Sequence, residues 1–208
     1  MTDYVVRVPD PKVQRALNAA FDQEGKVTRA LAELGGVAGR DVLVIGAEAG
    51  LHEPLLQSAG ARVTSLDPRE MAARPARSTD GVVALRTAVV PETDTAEAEL
   101  RDATRILRPG GRLLVFHDYG RDDASALLAD EAGHRRLVDW SRRDGWFLTR
   151  GFKVRVLHTW WTFDSLEEAA GVLAAAFGPR GESVAAALRR PRLSHKVAAY
   201  HLTMGNSQ

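Results

Sequence analysis

The stretch from Asp41 to Gly50, DVLVIGAEAG, decides the fold of this chain. Four apolar residues, 42–45, run without alternation into Gly46, a pattern typical of a parallel strand that is buried on both faces. A glycine where such a strand ends permits a sharp turn and a close approach of the backbone to a ligand. The later stretch ARVTSLD supplies a second strand that ends in Asp67. A strand, a glycine turn, a helix and a second strand with an acidic tip predict a nucleotide-binding βαβ unit, with the acid placed for a ribose hydroxyl pair.

The spacing of the glycines distinguishes between classes of nucleotide. A dinucleotide-binding loop needs glycines at relative positions one, three and six, where this chain has Gly46, Glu48 and Leu51. The carboxylate of Glu48 would also repel a phosphate, by about 4 kcal/mol at about 4 Å and an effective dielectric near 20. The phosphate-binding pattern GxxxxGK[ST] does not occur in the sequence. The loop therefore favours a nucleoside over a dinucleotide or a nucleoside triphosphate.

The same loop resembles the VLDIGxGxG motif of the class I S-adenosylmethionine-dependent methyltransferases, aligned on residues Val42 through Gly50. The motif is degenerate here, because Val44 replaces the family's acidic strand residue and Glu48 its middle glycine. Residues 98–120, AELRDATRILRPGGRLLVFHDYG, are similar to the amphipathic helix, Pro-Gly-Gly turn and fifth strand of these enzymes. The likeness is to the methyltransferase type 11 group.

The C-terminal part of the chain extends the resemblance. FKVRVLHTWWTF and HKVAAYHLTM are similar to the last two strands of the family, which flank a helix at about Asp164 to Phe177. The resemblance covers roughly residues 40–204. It implies an α/β fold, a Rossmann-like, doubly wound and mostly parallel sheet with an antiparallel last strand.

Two departures from the family's sheet are predicted. Only twelve residues, 68–79, separate the strand ending at Asp67 from the next apolar strand, DGVVAL. They cannot supply a helix and a strand with their loops, so the usual third strand is predicted to be missing. Residues 1–35 are predicted to form a helical extension, in which Asp10 caps a helix that starts at Pro11.

The boundaries of two further helices follow from local patterns. Apolar residues at helical spacing predict a helix that includes Leu107 and stops at Pro109. A second helix is predicted over residues 124–141. Trp160 and Trp161 fall on opposite faces of one strand, and their pattern is compatible with core packing, with an apolar substrate pocket or with a homodimer contact.

The resemblance also implies a set of site residues. The amino-acid end of S-adenosylmethionine is expected at the glycine loop, its ribose at Asp67, and further contacts at the tip of the DGVVAL strand. His117 and Asp118, at the tip of the fifth family strand, are the candidates for deprotonating a methyl acceptor. The histidines show no metal-binding spacing, so no metal is predicted. The predicted cofactor-binding residues are Gly46, Ala47, Glu48, Gly50, Asp67, Leu85 and Arg86.

Composition narrows the class of protein. The 208 residues suit one domain, predicted to span 1–208, and 45% are hydrophobic. There is no cysteine, which excludes disulfides and thiolate sites, and no apolar stretch approaches the length of a membrane helix. A net charge of +1 argues against a nucleic-acid partner. We therefore expect a cytoplasmic protein, of bacterial origin from its Ala and Arg content, with a small acidic or aromatic substrate.

The sequence leaves three functions open. The first is an S-adenosylmethionine-dependent methyltransferase that acts on an unidentified small molecule. The second is a degenerate, non-catalytic member of the fold that serves as a binding or interaction module, because Val44, Glu48 and the missing strand all remove cofactor contacts. An NAD-dependent enzyme is the third, disfavoured by the glycine spacing.

Overall fold

The computed structural model of the chain describes residues 8–46 and 49–205. In this part of the chain one sheet has six strands in the order β2-β1-β3-β4-β6-β5. Strands β1 to β4 pair in parallel, and β6 runs antiparallel to both of its neighbours. The predicted fold, a mostly parallel Rossmann-like sheet with an antiparallel last strand, is confirmed. The strands are β1 Asp41–Ile45, β2 Arg62–Leu66, β3 Thr79–Leu85, β4 Leu107–Asp118, β5 Lys153–Thr162 and β6 Arg192–Thr203.

Helices cover both faces of this sheet. Their bounds are α1 Pro11–Ala20, α2 Lys26–Gly35, α3 Ala49–Ser58, α4 Ala96–Ile106, α5 Asp123–Leu128, α6 Glu131–Trp140, α7 Trp146–Thr149, α8 Leu166–Phe177 and α9 Pro179–Ala187. Helices α1, α2, α3, α5 and α8 contribute to one hydrophobic core. Helices α4, α6 and α7 contribute to the other.

Strand β1 shows why an apolar run without alternation predicts a strand that is buried on both faces. Val42 and Val44 lie in one core, and Leu43 and Ile45 lie in the other. All four side chains are buried, because successive residues of a strand point to opposite faces and here both faces are covered.

The family's third strand is absent, as predicted. Between β2 and β3 the chain forms a single 3₁₀ helix, Pro68–Ala73, which buries Met71. Strand β2 is therefore the edge of the sheet, paired on one side only with β1.

Arg105 of α4 holds this short connection in place. Its guanidinium donates to the carbonyl oxygens of Met71 at 2.9 Å and Arg74 at 2.7 Å, and to that of Ala72 at 3.3 Å. The carbonyl oxygen of Met71 also accepts from the backbone N–H of Arg74 at 3.1 Å. Arg105 thus adds charged donors at the end of the 3₁₀ helix, where few carbonyl oxygens have partners within the helix.

The predicted helical extension is present in the described residues from Val8 onward, as α1 and α2. Asp10 caps α1, since its Oδ1 accepts from the backbone N–H of Lys12 at 2.7 Å and Pro11 follows it. Residues 1–7 of the predicted extension lie outside the described residues.

Two helix boundaries differ from prediction. Leu107 does not end α4 but begins β4, with φ −73° and ψ 138°. The guanidinium of Arg108 pairs with Asp41 at 3.0 Å and with Asp80 at 2.9 Å, and these contacts join the segment to β1 and β3. The LRPGG stretch is therefore strand with a register shift between Thr79 and Gly81 of β3.

The helix predicted over residues 124–141 is divided into α5 and α6. Ala129 is extended, with φ −131° and ψ 156°. Asp130 then caps a new helix, as its Oδ1 accepts from the backbone N–H of Gly133 at 2.7 Å.

The tryptophan pair of β5 divides between core and surface. Trp161 is fully buried and stacks on Phe177, with ring centroids 5.9 Å apart. Trp160 is half-buried under the guanidinium of Arg192, at 4.3 Å from the ring centroid. Core packing thus accounts for Trp161.

Within residues 8–46 and 49–205, no helix has the length and apolar character needed to cross a membrane. The same residues hold no group of three or more His, Asp or Glu side chains arranged for a metal ion.

Replacing Arg105 by alanine is expected to lower the free energy of unfolding by about 2 kcal/mol, because three carbonyl oxygens lose a charged donor. Urea denaturation measures the change. Arg101→Ala is the matched control, since Arg101 lies exposed on the same helix. Equal stability of the two variants would contradict the role assigned to Arg105.

Candidate functional site

The crevice between β1 and β3 lies at the carboxyl ends of the strands, where the sheet order turns back. In open α/β sheets ligands bind at such a switch point. Gly46 ends β1 there with φ 119°. A Cβ atom on Gly46 would lie 2.8 Å from the carbonyl oxygen of Leu85 and 2.9 Å from Oγ1 of Thr87. Only glycine allows the two turns to meet this closely.

Two of the predicted cofactor residues meet at this crevice. Gly46 and the backbone of Leu85 meet there, although the side chain of Leu85 is buried in the core. Gly50 lies in the first turn of α3, which begins at Ala49. Ala47 and Glu48 lie outside the described residues.

Asp67 lies at the tip of β2, next to β1. Its backbone and side chain form a capping box with the 3₁₀ helix, in which Oδ1 accepts from the N–H of Arg69 at 2.9 Å. Glu70 Oε2 accepts from the N–H of Asp67 at 2.9 Å. The residue is exposed, so its carboxylate can be reached by a hydroxyl group from solvent while it caps the 3₁₀ helix.

A buried polar group joins the tips of three neighbouring strands. Arg86, directly after β3, donates to Oδ2 of Asp118 on β4 at 2.5 Å. His195 of β6 donates from Nε2 to the other oxygen, Oδ1, at 3.0 Å. Asp118 and His195 are 6% and 0% exposed. We call Arg86, Asp118 and His195 the strand-tip triad.

The triad keeps Asp118 ionised. Burial would raise the pKa of this carboxyl, but the Arg86 guanidinium and the hydrogen bond from His195 outweigh it and lower the pKa to about 2. At neutral pH Asp118 is therefore an anion that is poor at taking up a proton.

His117 lies on the opposite face of β4 from Asp118. Its ring packs edge-on against Trp140, with centroids 5.2 Å apart, and close to Phe147 at 5.8 Å. Its Nε2 donates to the carbonyl oxygen of Val89 at 3.2 Å. Val89 has a φ of 54°, rare for a β-branched residue, and its N–H donates to Oε2 of Glu99 at 2.6 Å. Both backbone groups of a strained residue are thus held by side chains.

Burial lowers the pKa of His117 to about 4, against smaller opposing effects of the Val89 hydrogen bond and the Asp118 charge. The imidazole is neutral at pH 7. Since it donates from Nε2, the lone pair is on Nδ1.

A cavity of about 210 Å³ opens beside these strand tips. Although His117 and Asp118 lie on opposite faces of β4, both reach its wall. Its lining includes Arg86, His117 and Asp118 from the sheet side and Leu128, Arg136 and Trp140 from α5 and α6.

The sequence did not single out His195. Its contact with Asp118 joins residues 77 positions apart, which no local pattern reveals. The alternation of β6, in which His195, Val197 and Ala199 share the face of one core, was the available signal, but it needs the strand register to place His195 beside Asp118.

No protein-family model matches the sequence, and no curated protein is significantly similar to it. Solved structures do share its fold. A candidate type II methyltransferase from Anaeromyxobacter dehalogenans is 16% identical, covers 87% of this chain and 96% of its own, and has a TM-score of 0.51. A candidate methyltransferase from Bacillus halodurans is 13% identical, covers 86% and 99%, and has a TM-score of 0.52. The fold is therefore that of the class I methyltransferases, as predicted.

Replacing Arg86 by methionine is expected to lower the free energy of unfolding by about 3–5 kcal/mol at pH 7, because the Asp118 carboxylate stays buried without its cation. The loss should shrink at pH 4.5, since an unpaired buried carboxyl takes up a proton more readily. The control Arg142→Met breaks exposed ion pairs with Asp139 and Asp144 and should cost under about 1 kcal/mol. Urea denaturation at both pH values measures this, and a pH-independent loss would contradict the account.

The lowered pKa of His117 predicts a second pH dependence of the free energy of unfolding. A folded-state pKa below the ordinary 6.5 means that its contribution is complete above pH 6.5 and is lost as the pH falls towards 4. The contribution is about 3 kcal/mol. His117→Gln keeps a donor near Val89 but does not titrate, so its unfolding free energy should fall less between pH 7.5 and pH 4.

The exposed His158 provides the control for this measurement. His158→Gln should follow the parent protein across the whole pH range. Parallel stability profiles for His117→Gln and the parent would exclude a neutral, buried His117.

Proposed function

We propose that the chain is an S-adenosylmethionine-dependent methyltransferase that acts on a small molecule. The observation that carries the proposal is the close meeting of Gly46 and Leu85 at the switch point of a class I methyltransferase sheet. Asp67 lies at the tip of the neighbouring strand, and the cavity beside Asp118 lies on the other side. The proposed setting is the cytoplasm, in keeping with a chain that has no cysteine.

The donor and acceptor groups at this edge suit the cofactor. The exposed carboxylate of Asp67 would accept from a ribose hydroxyl while it continues to cap the 3₁₀ helix. The backbone at Gly46, Leu85 and Arg86 would line the nucleoside. Gly50, in the first turn of α3, would lie near the amino-acid end, where helix N–H groups favour a carboxylate. Ala47 and Glu48 are proposed for the same end on the sequence alone.

S-adenosylmethionine, when bound, supplies an electrophilic methyl group. The residues of the chain have to hold an acceptor in line with it and keep water away. His117 and Asp118 line the cavity in which we place the acceptor. Their pKa values of about 4 and about 2 favour a positioning role over proton removal at neutral pH.

The missing third strand removes one part of the usual site. In the family, the loop after that strand carries a group that binds the adenine amino group. Here the 3₁₀ helix Pro68–Ala73 follows Asp67 directly, so we expect the adenine to be held by fewer polar contacts than in seven-stranded relatives.

Replacing Asp67 by asparagine is the sharpest test, because asparagine caps a helix as well as aspartate does but lacks the negative charge. The unmodified chain should bind S-adenosylhomocysteine with micromolar affinity in calorimetry. The variant should bind about 10- to 100-fold more weakly, since a hydrogen bond to a charged group is lost. Its thermal unfolding should be unchanged.

Asp164→Asn is the control, because its carboxylate is exposed and makes no hydrogen bond or ion pair with the described residues. It should bind like the parent. Absence of binding by the parent up to millimolar ligand would overturn the proposal and favour a fold retained for binding a partner.

A further inference from the structure

The basic segment between Arg135 and Arg155 is largely neutralised by the protein itself. Arg135 pairs with Glu131, Arg142 with Asp139 and Asp144, Arg150 with Glu97, and Arg155 with Glu33. These pairs are exposed and contribute little stability each, but they remove most of the segment's positive field. These four arginines therefore belong to solvated helix and strand faces.

Arg136 is different from its neighbours. Its guanidinium has no carboxylate and no hydrogen-bond acceptor among the described residues, and it lines the cavity at the tips of β3 and β4. Arg180 of α9 donates to the carbonyl oxygen of Ala129, a residue that lines the cavity, at 3.2 Å. Arg180 likewise has no carboxylate partner in the described part of the chain.

The acidic groups near the cavity are already engaged. Asp118 is bound by Arg86 and His195. Asp130, at the start of α6, accepts from the backbone N–H of Gly133. Asp130 Oδ1 and Arg136 Nη2 both lie close to Gly133, but they form no ion pair. The mouth therefore presents a guanidinium that has no carboxylate within ion-pair distance among the described residues, and such a group attracts an anion.

The walls of the cavity limit the size and shape of its occupant. Leu128, Leu137 and Trp140 add apolar surface to a lining that also holds charged groups. A volume of about 210 Å³ corresponds to about seven water molecules at about 30 Å³ each. The occupant is a compact molecule with one apolar side and one anionic end.

The pKa values of the residues that line the cavity agree with an anionic occupant. Neither His117 nor Asp118 removes a proton efficiently at neutral pH, for the reasons given above. An oxygen that is already ionised needs no such base. It forms its bond to the methyl carbon while the electron pair of the broken carbon–sulfur bond stays on sulfur, and no proton is moved.

We propose that the methyl acceptor is a small organic anion, a carboxylate or a similarly ionised oxygen acid, and that Arg136 recognises its charge in the cavity beside β4. That this anion accepts the methyl group rests on the proposed function. The anion site itself rests on Arg136 and the cavity.

Benzoate is the probe for this site, and benzamide is its uncharged counterpart of almost equal shape. Binding is measured by calorimetry and by the quenching of tryptophan fluorescence, since Trp140 lines the cavity. The parent protein should bind benzoate at least tenfold more tightly than benzamide. Arg136→Gln should remove this preference, whereas Arg135→Gln, the same change one residue earlier on α6, should retain it.

Equal affinities of the parent for benzoate and benzamide, or an unchanged preference in Arg136→Gln, would overturn the inference. A separate titration with S-adenosylhomocysteine keeps it distinct from the proposed function. Both Arg136→Gln and the parent should bind S-adenosylhomocysteine equally, and saturation with it should leave benzoate binding intact.

The remaining outcomes are also decisive. If S-adenosylhomocysteine displaces benzoate, the anion site belongs to the cofactor and the acceptor assignment fails. If benzoate binds through Arg136 but S-adenosylhomocysteine does not bind at all, the proposed function fails and the anion site stands.

Discussion

The buried contact between Arg86, Asp118 and His195 connects the ends of β3, β4 and β6, and the arrangement of the carboxyl edge depends on it. Arg86 follows β3, Asp118 ends β4 and His195 lies near the start of β6, which runs antiparallel. A carboxylate shared by two donors holds these three strands together at this edge. Burying charged groups is costly unless they are paired. Here Arg86 and His195 both pair with Asp118, and Arg86 and Asp118 also line the cavity, so the same contact stabilises the fold and shapes the cavity wall.

Local patterns in the sequence were sufficient for most of the fold. The apolar run 42–45, the glycine after it and the short interval 68–79 each predict an element or its absence from neighbouring residues alone. The start of β4 at Leu107 was not predictable in this way. It depends on the ion pair of Arg108 with Asp41, a residue 67 positions away, and a helical pattern that continues through Leu107 carries no trace of it.

The sequence predicts those residues of the site that lie at the ends of strands. Gly46 and Asp67 follow from the βαβ pattern, and His117 with Asp118 from the position of the fifth family strand. The alternation of side chains along a strand already places His117 and Asp118 on opposite faces, which argues against a joined acid–base pair. The sequence does not predict the roles of His195 and Arg136, because their positions depend on strand register and helix packing and not on a motif.

Val89 has a consequence for the motions of the site. Its left-handed backbone is held from outside, by Glu99 at the N–H and by His117 at the carbonyl oxygen, so the loop between β3 and α4 carries stored strain next to the cavity. Such a loop opens with a lower free energy than the strands around it. Hydrogen exchange within this edge should therefore begin at the loop, and an occupant that packs against His117 slows it. The rate of hydrogen exchange in this loop would therefore report whether the cavity is occupied.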